Sequence, residues 1–449
     1  MRYNEFKDYV VEAAKNSGLN EYELYYKESE SVSTETLMHE ISGFSTSGGA
    51  GACFRCIYEG KMGYASTELF TAEEAERIVS AAMENAAIIE IEDEVFIHEA
   101  GDNYVELEPQ KTYEPTSAEM IEHAFALEKA LYEADKRVID GSQAFFGFGK
   151  ETVALCNSKG LDLSYSYDYS EYGAVAVIKE GEAMYNAFEV KEGDFKEADG
   201  EALAKRVVED AIDSIGQESV PSGVYDIVFS NKMMASMLNT FFGIFSAENA
   251  QRGLSLLNDK VGEVIASDVV TIMDDPFRKE TYNCMPFDGE GVATSCKAVV
   301  EKGQLKTLLH NLTTAHKAGV ASTGNGRKAS YAAPVAILPY NFFVEKGGAG
   351  SKEDLFAKIG EGIYVTEING MHAGANAVTG DFSLAAEGFL VTEGKRTHAV
   401  KNFTISGNFY ELLKNVVAVG DDLKFRSPHG GCTYGAPSVW VKEISVAGK

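Results

Sequence analysis

The chain has 449 residues, 45% of them hydrophobic and 11% aromatic, enough to bury a large core and to divide into two or three folding units. Its net charge is −29, from 69 acidic and 40 basic side chains with no long Lys/Arg cluster, so the overall field repels phosphate backbones and disfavours nucleic acid as a partner. No run of about 18 apolar residues occurs, Met1 to Asn16 lack a signal-peptide core, and the six cysteines are too sparse for a disulfide framework, which together point to a cytoplasmic protein with reduced thiols.

Met1 to Asn16 reads as a charged amphipathic helix, and from Glu21 to Glu68 period-two alternation broken at Gly48-Gly49 and Glu59-Gly60 predicts a meander of antiparallel strands. Helical spacing resumes over Thr71 to Ala87. After an irregular acidic stretch, Glu92 to Pro115, Ser117 is placed to cap a helix running through Asp135. Strands are expected over Val138 to Ile178 and an amphipathic helix from Gly200 to Ser214. The clearest boundary is Ser219-Val220-Pro221-Ser222-Gly223, which gives an N-terminal unit, 1–220, with possible subregions 1–112 and 113–220, and a C-terminal unit, 221–449.

The second unit opens with a strand, Tyr225 to Phe229, and a helix that Ser230 can cap. Strand-turn-strand patterns follow at Val299–Leu305 and Phe389–Lys395. With no alternating βαβ series, the fold class is α+β with mainly antiparallel sheet.

Zinc hydrolysis needs imidazoles spaced to reach one ion and a carboxylate for the proton of bound water, yet no HExxH or HExxxH occurs. His39-Glu40 and His98-Glu99 lack a second histidine at useful spacing, and His39 falls in a predicted strand. His310 and His316 belong to one predicted helical turn, where their separation sets the rings on different faces. Cys53 and Cys56 form a lone CxxC on a strand and point to opposite faces, so structural roles are preferred for both. The run Thr323-Gly324-Asn325-Gly326-Arg327 could offer amides and a charge to an anion, but it lacks the ending of a phosphate loop and reads first as a turn with an exposed arginine.

The run Glu248 to Glu263 (ENAQRGLSLLNDKVGE), followed by Val270-Thr271-Ile272-Met273-Asp274-Asp275-Pro276, resembles the central signature of the TldD/PmbA family. Phe287-Asp288-Gly289-Glu290-Gly291, Thr323-Gly324-Asn325, Asn376 to Ser383, Ile405-Ser406-Gly407-Asn408 and Gly435 to Val439 come in the family's order, and the resemblance covers essentially the whole chain. It implies a two-domain α+β fold and a dimeric protein that trims or degrades peptides. Some members have been described as modulators of DNA gyrase, which the strong negative charge gives no reason to read as DNA binding here.

In the catalytic branch an HExxxH motif precedes the central signature, and a C-terminal cysteine completes the zinc site. That window falls on Leu238 to Gly243 here: Leu238 and Gly243 stand where the histidines would be and Asn239 where the glutamate would be, and none can play those parts. Cys432 does not align convincingly with the ligand cysteine. Around the window Met233, Met234, Met237, Leu238, Phe241, Phe242 and Phe245 make a helix apolar on nearly every side, suited to burial or to a partner's surface, with burial preferred.

The resemblance is therefore to the PmbA (TldE)-like branch. It implies a non-catalytic subunit without a metal of its own, paired with a zinc-bearing TldD-like subunit, with itself, or both, and helping to enclose an unfolded peptide. Candidate peptide contacts are Arg252, Ser255, Asn325, Arg327, Asn376 and Asp381, although Asn, Asp and Gly at such positions often only hold turns. Two other readings stay open: a self-sufficient homodimeric metallopeptidase using His310, His372 or His429, and a non-enzymatic peptide-binding protein.

Overall fold

The computed structural model describes residues 1–90, 94–429 and 431–449, apart from the side chains of 427–429. Part of the acidic stretch, Glu92 and Asp93, and the side chain of His429 thus lie outside the described residues.

The first unit holds helix α1 (Tyr3–Asn16), strands β1 (Glu21–Leu37), β2 (Glu40–Tyr58) and β3 (Lys61–Thr67), and helices α2 (Ala72–Ile88) and α3 (Ser117–Ala134). It continues with β4 (Gln143–Asn157), β5 (Asp162–Glu180), β6 (Ala183–Glu192) and α4 (Gly200–Asp213). Its strands form one antiparallel sheet in the order β3-β2-β1-β4-β5-β6. The cap of α3 is Thr116, whose hydroxyl accepts from Glu119 N, so Ser117 is the first helical residue rather than the cap. His39 is not in a strand. It shares the β1–β2 turn with Met38, both at positive φ, 61° and 55°, the left-handed pair that a tight hairpin requires.

Alternation along this sheet assigns its two faces. Leu24, Tyr26, Phe54, Phe146 and Tyr172 meet the apolar sides of α1–α4. The opposite face presents Tyr25, Leu155 and Tyr165, which pack with Phe287 of the second unit. Glu23 and Arg55, paired across β1 and β2, lie on that same inter-unit face. Their Oε1–Nε distance is 2.7 Å, and Arg55 Nη1 reaches Glu290 Oε1 of the second unit at 3.6 Å.

The second unit begins with β7 (Gly223–Phe229), α5 (Asn231–Phe241), α6 (Ala247–Gln251), β8 (Ile272–Asp274), β9 (Lys297–Glu301) and β10 (Gln304–Leu305). Next come α7 (Leu312–Ala318), β11 (Gly326–Arg327), β12 (Ala336–Ile337), β13 (Asn341–Val344), α8 (Lys352–Ile359), β14 (Gly362–Asn369) and α9 (Met371–Gly374). It ends with β15 (Asp381–Thr392), β16 (Lys395–Asn408), α10 (Phe409–Lys414), β17 (Val416–Val419), β18 (Lys424–His429), β19 (Cys432–Ala436) and β20 (Val439–Ala447). His310 precedes the Asn311 cap of α7, so only His316 is helical, a correction to the shared turn expected from the sequence.

One sheet runs β16-β15-β14-β7-β20-β17, and an added β16–β20 pairing closes five of its strands on themselves. A second runs β10-β9-β8-β13-β19-β18. Parallel pairing is confined to β7–β14 and β13–β19 among the described ladders, so the fold is α+β and mainly antiparallel. Helix α5 touches β14 of the first of these sheets and β13, β18 and β19 of the other, which places it between them.

Candidate functional site

Ser230 starts α5 by accepting from Met233 N, and a 3-10 turn, Phe242–Phe245, prolongs it. Met233, Met234, Met237, Leu238, Phe241, Phe242 and Phe245 are all buried in one core, where Phe241 stacks on Phe409 with ring centroids 4.5 Å apart. The apolar helix is thus consumed inside the chain, as preferred over a shared surface. Leu238 is 0% exposed, Asn239 faces solvent, and the carbonyl of Gly243 accepts from Asn249 Nδ2 at 2.9 Å. These residues do not fit zinc: a hydrocarbon, an amide and no side chain occupy the three places.

The side of α5 away from this core is polar. Lys232, Ser236 and Asn239 recur at i, i+4 and i+7 and so share one face. That face begins where the two units meet. Lys232 Nζ lies 4.0 Å from Glu189 Oε2 on β6, and the same carboxylate holds Arg206 of α4 at 2.5 Å. From the second unit, Arg426 on β18 donates to Ser236 Oγ, and Glu387 on β15 accepts from Gln217 at 2.9 Å. β6 and β18 are each the last strand of a sheet, and they approach one another here.

Burial raises the carboxyls of Glu367 on β14 and Asp210 on α4 above the ordinary range, against the opposing pull of Arg426 and of Lys232, respectively. A raised acid holds its proton longer in the folded chain than in the unfolded one. Its stabilisation is complete below the unfolded pKa and is lost as pH rises through the folded value. Glu367→Gln removes that loss, so the thermal midpoint of the variant minus that of the parent is expected to climb from about pH 4 to about pH 8. A flat difference across that range would remove Glu367 as a titrating group.

The residues anticipated as peptide contacts fall elsewhere, in three places. Arg252 is exposed beside α6 and pairs with Glu248 at 2.8 Å, while Ser255 is buried and donates to the carbonyl of Ile244 at 2.6 Å. Asn376 accepts from Val378 N and Thr379 N, and Asp381 accepts from Asn408 Nδ2, so both hold a turn at the start of β15. Tyr410 links these two places, its hydroxyl accepting from Leu256 N at 3.1 Å and reaching the carbonyl of Val378 at 3.5 Å.

Asn325 and Arg327 lie apart, in a buried polar knot. Asn325 is 0% exposed, donates to Asp274 Oδ2 at 2.8 Å and to the carbonyl of Leu338 at 3.0 Å, and accepts from Thr323 and Lys297. Arg327 is half-buried rather than exposed: it stacks on Tyr340 at 4.3 Å and donates to the carbonyls of Pro339 and Gly431. Ser255 and Asn325 are saturated inside the fold, which leaves neither placed for a peptide. The junction residues Lys232, Ser236 and Arg426 are missing from the sequence-based candidates, although for the first two polar residues at helical spacing on an otherwise apolar helix are a readable signal.

The remaining chemistry-bearing residues scatter. His310 is buried, His372 is exposed, His98 pairs with Asp102 at 2.8 Å, and Cys53 and Cys56 are buried in β2. Among the described residues no group of three His, Cys, Asp or Glu side chains gathers as a metal site. Among them, too, no helix is long and apolar enough to cross a membrane.

The family models for PmbA/TldA metallopeptidases match nearly the whole chain: domain 1 over residues 22–86, the central domain over 111–215 and the C-terminal domain over 222–448. A relative from Haemophilus influenzae, a metalloprotease PmbA homolog, is 30% identical over 68% of this chain and 66% of its own length. An uncharacterized protein of Methanocaldococcus jannaschii is 28% identical over 89% of this chain and 92% of its own. The crystal structure of a putative modulator of a DNA gyrase from Thermotoga maritima superimposes with a TM-score of 0.90 at 31% identity, covering 99% of this chain and 100% of that one. TldE from Thermococcus kodakarensis shares the fold, with a TM-score of 0.88 at 24% identity over 98% and 99% of the two chains.

Proposed function

The chain belongs to the PmbA/TldD metallopeptidase family, and from that premise we propose that it is the non-catalytic, PmbA/TldE-like subunit of a cytoplasmic peptidase complex. A TldD-like partner supplies the zinc, and this chain helps to hold an unfolded peptide during maturation or proteolysis. The observation that carries the reading is the fate of α5: the helix where catalytic members keep their motif has Leu238 wholly buried in the core, Asn239 as an amide and Gly243 without a side chain.

The junction over α5 supports the peptide-holding part. Two end strands, β6 and β18, meet there, and an extended backbone pairs with the edge of such a strand whatever its side chains are. Polar groups on α5 then set register without demanding sequence.

The test is metal content and cleavage of an unstructured peptide, by the purified chain alone and after mixing with a TldD-like subunit from the same cell. The expected result is less than stoichiometric zinc in the chain alone and cleavage only in the mixture. Stoichiometric zinc with activity alone would overturn the reading in favour of a self-sufficient peptidase, and an inactive mixture would leave only peptide binding.

A further inference from the structure

Arg426 stands out at this junction for what it lacks. A guanidinium carries five N–H donors in a planar fork, and the bond shown for this one runs from Nη1 to the neutral hydroxyl of Ser236. Among the described residues no carboxylate comes within ion-pair distance of it. The acid whose field reaches it is Glu367, and burial depresses the pKa of Arg426 more than Glu367 restores it. Arg426 is half-buried and none of its nitrogens is among the buried atoms left without a partner, so its remaining donors open to solvent, where a ligand can take the place of water.

Its neighbours suit an anion. Ser236 and Lys232 lie on the same face of α5, and the ammonium of Lys232, at 4.0 Å from Glu189, is beyond hydrogen-bond length. The fork of an arginine matches a carboxylate through two parallel bonds, while Ser236, which donates to the Lys232 carbonyl at 3.0 Å and accepts from Arg426, holds the guanidinium in place. The carboxylates of Glu367, Glu387 and Glu189 border the same space and repel a doubly charged phosphate more strongly than a singly charged carboxylate. β18, which carries Arg426, is the last strand of its sheet, the kind of edge along which an extended chain pairs.

We propose that Arg426, positioned by Ser236 and joined by Lys232, anchors the C-terminal carboxylate of a bound peptide. The proposal rests on the peptide-holding function above and adds to it the end of the substrate that is recognised and the direction in which it lies.

Fluorescence anisotropy tests it with one labelled, unstructured peptide made with a free C-terminal carboxylate or as its amide, on the chain and on its mixture with the TldD-like subunit. The free acid is expected to bind about tenfold more tightly. Arg426→Met brings the ratio to about one, and Arg426→Lys leaves it between, since an ammonium keeps the charge but loses the fork. Equal binding of acid and amide by the parent protein would overturn the anchor while leaving peptide holding intact, and this comparison depends on no variant folding. Binding of neither form would overturn both. An amidated phosphopeptide that binds as tightly as the free acid would overturn the assignment to a carboxylate.

Discussion

Replacing Arg55 by methionine is expected to destabilise the chain by about 3–5 kcal/mol, one of the largest losses available from a single side chain. Arg55 is 4% exposed, Glu23 is 1% exposed, and the two meet at 2.7 Å on the sheet face that docks against the second unit. Arg55 also faces Glu290, whose other oxygen accepts from Leu312 N at 2.8 Å and so ties the pair to the start of α7. Methionine fills much of the volume but leaves two buried carboxylates without their cation. Burial already raises Glu23 against the pull of Arg55. Without that pull its folded pKa rises further, so the deficit should grow as pH rises through the folded value. Chemical denaturation at several pH values measures both effects. The variant Glu23→Gln/Arg55→Met/Glu290→Gln should recover most of the loss, because it removes the charges together. A triple variant as unstable as the single one would show that packing, not charge, holds this junction.

That junction marks where sequence reasoning stops. The alternation of β1 and β2, the hairpin at Lys302-Gly303 and the Ser230 cap were legible because each depends on neighbours in the chain. The Asp288 and Glu290 signature was legible as a motif but not as a buried partner for Glu23 and Arg55, since the pairing of Arg55 with Glu290 crosses the boundary between the units. Asn325 illustrates the same gap. A glycine-flanked asparagine looks like a loop residue, yet its amide closes a buried knot with Asp274, far away in sequence. The absence of an HExxxH run was visible from residue types alone. The junction around α5 was not, because it draws on β6, α4, α5, β14, β15 and β18, which only the tertiary fold brings together.

Writing an HExxxH motif into the chain as Leu238→His/Asn239→Glu/Gly243→His is expected to weaken the fold without building a zinc site. Leu238 is 0% exposed among Phe241, Phe245 and their neighbours, and an imidazole there has buried nitrogens to satisfy, a cost of about 1–3 kcal/mol on its own. At Gly243 an added Cβ lies 3.1 Å from Asn249 Nδ2, the group that now donates to the Gly243 carbonyl, so a histidine crowds the bond that shapes the end of the helix. Asn239 is exposed and tolerates glutamate. Even with both rings in reach of one ion, a catalytic zinc needs a third protein ligand. Cys432, on the strand next to α5, is a poor one: burial pushes its thiol up, which keeps it protonated, and Arg327 Nη1 already contacts its sulfur at 3.7 Å. The variant should melt below the parent and carry less than one zinc per chain by elemental analysis. Stoichiometric zinc in the variant, with none in the parent, would show instead that three side chains are enough to give this fold a metal site.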